Sequence, residues 1–329
     1  MRSSICRLAS LLILTLLMVA IGATAQPASR LPRVGYVWLF SNGPSGPYAE
    51  SFRDRMAQLG WIDGKNFVLE FRDAHGNPKE LDAIMQALVE SNVDLIVAMC
   101  TPEGLAAKKF TSTIPIVLAA TGDPVAAGLA QSFARPGGNI TGISGLELEL
   151  SRKRVDLLKE TVPKVNRATV LWNPARPENR LEVKAMQEAG AAVGIKVESS
   201  EVRTRDELAS QLDAIGWDGT QAILNSGDAI LASERNTIVG RAAKLRMPAI
   251  YEDRIYVEAG GLMSYGPSVR NMHRRAADYV DKILKGAKPG DFPFEQVSKF
   301  ELVVNKTTAS KLGITIPRAV MLRADEVLQ

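Results

Sequence analysis

Residues Thr121–Ser144 read TGDPVAAGLAQSFARPGGNITGIS, and this stretch decides the fold. It follows an apolar run of strand length, Ile116-Val117-Leu118-Ala119. It opens on the loop Gly122-Asp123-Pro124 and continues with residues spaced for a short amphipathic helix. It breaks at Arg135-Pro136-Gly137-Gly138 and enters a second β-like run, Ile140-Thr141-Gly142-Ile143-Ser144. Everything before it reads as one α/β unit, and everything after it begins another. The stretch is expected to be a ligand-facing loop followed by a crossing between two lobes.

Upstream, Arg33–Leu39 is a continuous apolar run without alternation, the pattern of a strand buried on both faces of a parallel sheet. A turn-rich loop, residues 40–48, leads into a helix over 49–59 that stops at Gly60. Further strands are expected at 66–71, 94–99 and 115–119. Between them lie a helix over 78–90, with Leu81, Ile84, Met85 and Leu88 on one face, and one opening at Thr101-Pro102-Glu103. This β-α-β-α-β-α-β order gives a right-handed, doubly wound parallel sheet.

Downstream the pattern repeats. Ser144 and Glu147 have capping-box spacing for a helix ended by Pro163. Strands at 168–172, 195–202, 222–224 and 248–251 alternate with helices at 178–193, 205–215 and 230–245. Gly260–Gly266 reads as a second crossing, 268–285 as a long helix and 300–304 as a late strand, with the last elements returning partly to the first lobe. The fold class is therefore α/β: two doubly wound parallel-sheet lobes joined by hinge strands. Residues 32–142 with 266–300 are assigned to the first lobe, and 143–265 with 301–329 to the second.

A chain of 329 residues is too long for one ordinary core and comfortable for two. The first 25 residues stand apart. Arg2 and Arg7 precede an apolar run, Leu8–Ile21, too short to span a bilayer, and Ala23-Thr24-Ala25 is a small-x-small cleavage site. This reads as a secretory signal peptide cut after Ala25. A short membrane anchor explains the run less well. Removing Arg2 and Arg7 from the 40 basic residues leaves 38 against 36 acidic ones. No basic stripe interleaved with aromatics is present, which argues against a nucleic-acid partner. Cys6 leaves with the leader, so Cys100 remains alone and no internal disulfide can form. A Cys-poor exported chain of this size fits a bacterial periplasm.

In open parallel sheets, ligands bind beyond the carboxyl ends of the strands. That rule selects Ser41 and Asn42, Cys100 with Thr101 and Pro102, Thr121 with Asp123, Asn173, Asn225 with Asp228, and Tyr251 as ligand-binding candidates. The helix opening at Thr101 suits a carboxylate, although an ordinary capped helix explains the same residues. Asp123, Asp228 and Glu252 could face a ligand ammonium, or could simply be solvated or capping acids. Trp38, Phe40, Tyr48, Trp172 and Tyr251 could stack on a ligand, with core packing the default for both tryptophans. Enzyme signatures are missing. His75 sits in a turn and His273 is placed on a helix surface, neither at metal-ligand spacing. No G-x-S-x-G elbow, Walker loop or G-x-G-x-x-G follows a strand. Ser41 has no His placed to activate it. Cys100 lies where a thiolate would be stabilised but has no evident base, which leaves it as a packing residue. No catalytic residue, metal or cofactor is assigned.

Several ordered motifs carry a resemblance over the chain from Arg33 onward. They are Asp123-Pro124-Val125 through Gly128-Leu129, Arg135-Pro136-Gly137-Gly138-Asn139-Ile140-Thr141-Gly142, Gly260–Gly266, Lys285-Gly286-Ala287-Lys288-Pro289, Phe300–Asn305 and Arg323–Val327. The sequence resembles the ABC transporter substrate-binding proteins of the tryptophan/tyrosine-type group. The resemblance implies a type I periplasmic binding fold and capture of a small ligand, with some relatives binding aromatic amino acids. It further implies delivery to an inner-membrane permease driven by a cytoplasmic ATPase, with the binding protein acting as a monomer. A periplasmic ligand sensor that presents its closed form to a membrane receptor would use the same clamshell.

Overall fold

The computed structural model describes residues 30–40, 46–145 and 147–329. The leader, Cys6, Ser41 and Asn42 lie outside the described residues. The elements, numbered in chain order, form two sheets.

The first sheet contains β1 (Arg33–Trp38), β2 (Val68–Asp73), β3 (Leu95–Ala98), β4 (Ile116–Thr121), β5 (Ile140–Ser144) and β11 (Glu295–Gln296). Its order is β11-β5-β4-β3-β1-β2, with every pairing parallel. The second contains β6 (Arg167–Trp172), β7 (Lys196–Glu201), β8 (Ala222–Asn225), β9 (Ala249–Tyr251), β10 (Met263–Pro267), β12 (Phe300–Asn305) and β13 (Glu326–Leu328). Its order is β13-β12-β10-β9-β8-β6-β7, parallel except where β10 meets β12.

Both faces of each sheet are covered, which is why the strands read as unbroken apolar runs. In β1, Val34, Tyr36 and Trp38 enter one core and Val37 the opposite one. In β9, Ala249 and Tyr251 point one way and Ile250 the other. The α/β, two-sheet architecture read from the sequence is the observed one.

The helices are α1 (Pro47–Gln58), α2 (Pro78–Glu90), α3 (Thr101–Phe110), α4 (Glu147–Thr161), α5 (Pro177–Ala192), α6 (Arg205–Ala214), α7 (Ala229–Ser233), α8 (Arg235–Lys244), α9 (Arg254–Glu258), α10 (Val269–Leu284), α11 (Lys306–Leu312) and α12 (Arg318–Arg323). The chain passes between the sheets three times: after β5 at Gly145, after β10 at Ser268, and between β11 and β12 over residues 297–299. Helix α10 follows the second passage and returns to the first sheet, packing against α1 and β4. Arg55 Nε to Asp278 Oδ1 and Trp61 Nε1 to Asp281 Oδ1, each 2.8 Å, fix it there.

Four local expectations are corrected. No helix forms after Pro124. Asp123 Oδ1 takes the N–H groups of Val125 and Ala126, and Gly128, at φ +71°, turns the chain before a further turn could add. Ser144 does not cap α4, because it ends β5 and its hydroxyl donates to the Gly122 carbonyl. The helix expected over 230–245 is two helices, α7 and α8, meeting at Glu234. His273 does not lie on a helix surface. It is fully buried, with Tyr36 Oη 2.6 Å from Nδ1 and Met99 Sδ 3.0 Å from Nε2.

Candidate functional site

The loops leaving β3, β4, β6, β8 and β9 converge on one cleft, walled by both sheets' elements. This is the carboxyl-end position where open parallel sheets hold ligands. From the first sheet's side come Cys100, Ala120, Thr121 and Gly122. Arg176, Asp228, Glu252 and Asp253 come from the second. Tyr48, Met99, Ala232, Val269 and Met272 supply an apolar wall.

That wall is rigid. Tyr48 stacks on His273 at 5.4 Å between centroids and on Trp38 at 6.0 Å. Met99 Sδ can only accept, so the His273 proton sits on Nε2 and Nδ1 accepts from Tyr36. Burial pushes the His273 pKa down to about 3, leaving the ring neutral beneath the cleft.

The polar wall is acidic. Burial raises Glu252 to about 8, Asp253's charge adding to it. Burial lifts Asp228 to about 6 even though Arg176 opposes it, and burial lifts Asp253 to about 6 against the hydrogen bond from Ile255 N–H. Each of these acids is positioned by its backbone. Asp228 caps α7 through Ile230 N–H, Asp253 caps α9 through Ile255 N–H, and both bonds are 2.8 Å. Asn225, fully buried, donates to Glu252 Oε2 and accepts from the Glu252 N–H.

Among the described residues the wall holds one arginine, and it is already engaged. Arg176 Nη2 lies 2.9 Å from Glu178 Oε1, and Nη1 donates to the Gly227 carbonyl. Burial raises Glu178, but Arg176 and a hydrogen bond from Thr101 outweigh it and hold the carboxyl below its usual range.

Of the candidates read from the sequence, Cys100, Thr121 and Asp228 line the cleft. Thr101 lies directly behind it, sharing a 2.8 Å contact with Thr121 Oγ1 and donating to Glu178 Oε1 at 2.5 Å. Asn173 and Asn225 are second-row supports, and Asn173 Oδ1 accepts from Ala175 N–H. Tyr251 is buried and stacked on Tyr256 at 4.6 Å, away from the lining. Pro102 occupies the first turn of α3 without lining the cleft, and Asp123 is an exposed turn residue that faces an adjoining chamber.

The amino end of α3 already carries a carboxylate. Glu103 accepts from Cys100 N–H at 3.1 Å and from Leu39 N–H at 2.6 Å. Burial first, and Glu103's charge second, push the Cys100 thiol up, the opposite of an activated nucleophile.

Glu147 and the two methionines escaped the site reading. Arg176 and Asp253 fall inside loops that the strand-end rule selects, residues 173–177 and 251–253, without being singled out there. Met99 and Met272 carry no signal that separates them from core methionines.

A family model, ABC transporter substrate binding protein, matches residues 45–328. A tyrosine-binding protein of Clostridioides difficile is 25% identical over 266 residues, 80% of this chain and 76% of that one. The ABC domain from Streptococcus pneumonia, solved in complex with L-Trp, superposes with a TM-score of 0.83 at 27% identity, covering 91% of this chain and all of that one. A conserved domain protein from Vibrio cholerae gives 0.84 at 30% identity, with the same coverage. The fold, the cleft at the strand ends and this match agree: the chain belongs to the ABC transporter substrate-binding protein family.

Proposed function

We propose that this chain is the exported solute-binding component of an ABC importer, and that its cleft captures a small ligand with an ammonium group on an apolar body. An aromatic or branched amino acid is the favoured class. The observation that carries this reading is the pairing of Asp228, Glu252 and Asp253 on one wall with Tyr48, Met99 and Met272 on the other. Three buried acids whose pKa values are raised above their usual range leave room for a cation, and Arg176, which lines the cleft with them, already has partners. The relatives named for tyrosine and crystallised with L-Trp point the same way. Closure of the two lobes about the three passages, with the lobe limits near 145, 268 and 298, would seal the ligand from water. A ligand touching both walls shifts that equilibrium by its differential affinity for the closed form.

The test is a thermal-shift screen of the chain from Gln26 onward against amino acids, simple amines and carboxylates. Ligands that bind only the folded state raise the melting temperature by mass action. Shifts from aromatic or branched amino acids support the reading. Shifts confined to carboxylates without an amine would overturn it, as would chemical change in a recovered ligand.

A further inference from the structure

The cleft lies at the carboxyl ends of the second sheet's parallel strands, and the opposite pole lies where β6, β8 and β9 begin. Three connections gather there: residues 162–166 before β6, 215–221 before β8 and 245–248 before β9. Strand β12 runs antiparallel to β10, so its last residue and the start of α11 arrive at the same pole. These segments touch one another. A Cβ on Gly216 would lie 3.2 Å from Leu245, Asn166 N–H donates to Gln221 Oε1 at 2.9 Å, and Arg246 Nη2 donates to the Lys311 carbonyl at 3.3 Å.

Trp217 stands in the middle connection and is 90% exposed, more than any other large apolar side chain among the described residues. Gly216 and Gly219, at φ +103° and +83°, bend the backbone on either side of it and thrust the indole outward. The surface around it is basic. Lys164, Lys244, Arg246, Lys306 and Lys311 are all exposed, and none has a carboxylate partner among the described residues. The acids near them are engaged. Asp218 Oδ1 accepts from Thr220 N–H at 2.9 Å, Glu198 is shared by Arg167 and Lys196, and Asp213 lies 3.9 Å from Arg241. An open groove of about 690 Å³ between α8 and α11 is lined by Arg246 and Lys311 and by no acid. Beyond the leader the chain is close to charge balance, 38 basic residues against 36 acidic ones, so this cluster is a local asymmetry.

One amphipathic ring among free cations selects its partner by chemistry. An indole favours the boundary between lipid headgroups and acyl chains, where its body is dry and its N–H stays wet. Lysine and arginine beside it are drawn to anionic headgroups. An acidic polypeptide would satisfy the cations but offers the indole no apolar layer. These connections hold no second aromatic for stacking on nucleic-acid bases.

We infer that this pole is a peripheral docking face for an anionic lipid surface, with Trp217 seated at the headgroup boundary and Lys244, Arg246, Lys306 and Lys311 on the headgroups. The face lies apart from the ligand cleft and stands or falls independently of the ligand. Under the proposed function, the contact keeps the chain beside the membrane that holds its importer.

Co-sedimentation with vesicles tests it, using the chain from Gln26 onward, which lacks the apolar leader and holds both sheets whole. Vesicles of phosphatidylcholine mixed with phosphatidylglycerol should pellet the chain and move its tryptophan emission to the blue, and raised salt should release it. Phosphatidylcholine alone should do neither. Trp217→Ala should abolish the emission shift and weaken partitioning about fivefold or more. Lys244→Glu, Lys306→Glu and Lys311→Glu together should weaken it about tenfold or more. Lys65→Glu, Lys79→Glu and Lys288→Glu together remove the same charge at exposed positions away from this pole and should weaken it far less. If the first triple variant fails to fold by circular dichroism, Trp217→Ala and the salt dependence carry the same test. No binding to the anionic vesicles, equal binding to neutral ones, equal weakening by the two triple variants, or an emission shift that survives Trp217→Ala would overturn the face. Binding to poly-glutamate with no emission shift on lipid would overturn it in favour of an acidic polypeptide. None of these failures touches the proposed function, whose thermal-shift test is run without lipid.

Discussion

Thr101 at the start of α3 and Glu178 at the start of α5 meet across the cleft, Thr101 Oγ1 donating to Glu178 Oε1 at 2.5 Å. One residue follows a strand of the first sheet and the other a strand of the second. The bond is buried, and its acceptor is charged. It therefore ties the two walls together directly, independently of any ligand. The same glutamate grips Arg176, so the latch and the cleft's arginine are parts of one network.

Thr101→Val removes the donor and keeps the shape. A buried hydrogen bond to a charged group contributes about 1.5–3 kcal/mol, which corresponds to roughly 10- to 100-fold in affinity if it exists only in the closed form. Calorimetry should show weaker binding of the cognate ligand, and small-angle scattering should show a larger radius of gyration without ligand. Unchanged affinity and unchanged size would mean that the bond does not contribute to closure.

Glu252→Gln separates recognition from stability. Glutamine can still accept from Asn225 Nδ2, so the local geometry survives. Burial and Asp253 raise Glu252 to about 8, so its carboxyl carries charge mainly above that pH. At pH 8.5 the substitution should weaken an ammonium ligand by about tenfold or more. At the same pH it should raise the melting temperature of the ligand-free chain, because a buried negative charge beside Asp253 is gone. At pH 6 both effects should be small. Equal effects at the two pH values would remove Glu252 from ammonium recognition.

Linkage fixes how affinity follows pH. Asp228 and Asp253 titrate near 6 and Glu252 near 8 in the folded chain, all above their unfolded values. Acids with raised folded pKa values stabilise the fold at low pH, and that contribution is lost as pH rises from about 4 to about 8. An ammonium ligand reverses the trend, since it prefers the ionised acids. Affinity should climb between pH 5 and pH 8, and binding near pH 7 should release protons. Calorimetry in buffers of different ionisation enthalpy reads that release directly. Proton uptake would contradict the assignment of these acids to the ammonium.

The two sheets were legible because parallel strands buried on both faces leave a simple record, runs such as Val34–Trp38 and Ile116–Ala119 separated by amphipathic helices. The cleft was legible only as a set of loops. Strand ends name a neighbourhood, and the position rule found Cys100, Thr121 and Asp228. It could not say that Glu103 would turn back to cap its own helix and occupy the place set aside for a ligand carboxylate. His273 was misplaced for a similar reason. A polar residue on a charged helix reads as solvent-facing until Tyr36 and Met99, 237 and 174 positions away in sequence, are seen to enclose it. Long-range partners decide such cases, and periodicity does not encode them.

Gly122→Ala tests whether the closed geometry needs the missing side chain. The new Cβ would lie 3.0 Å from Glu178 Cγ and 3.4 Å from Glu178 Oε1, so the glutamate must shift or the walls must part. Within its own lobe Gly122 follows β4 at a φ that ordinary residues adopt, so the substitution adds no backbone strain. Affinity should fall several-fold while the melting temperature of the ligand-free chain changes little. Gly240→Ala, inside α8 with open space around it, is the matching control. There alanine should raise stability by up to about 1 kcal/mol and leave binding alone. If Gly122→Ala binds as tightly as the original chain, Glu178 can yield without cost and the cleft does not need a glycine there.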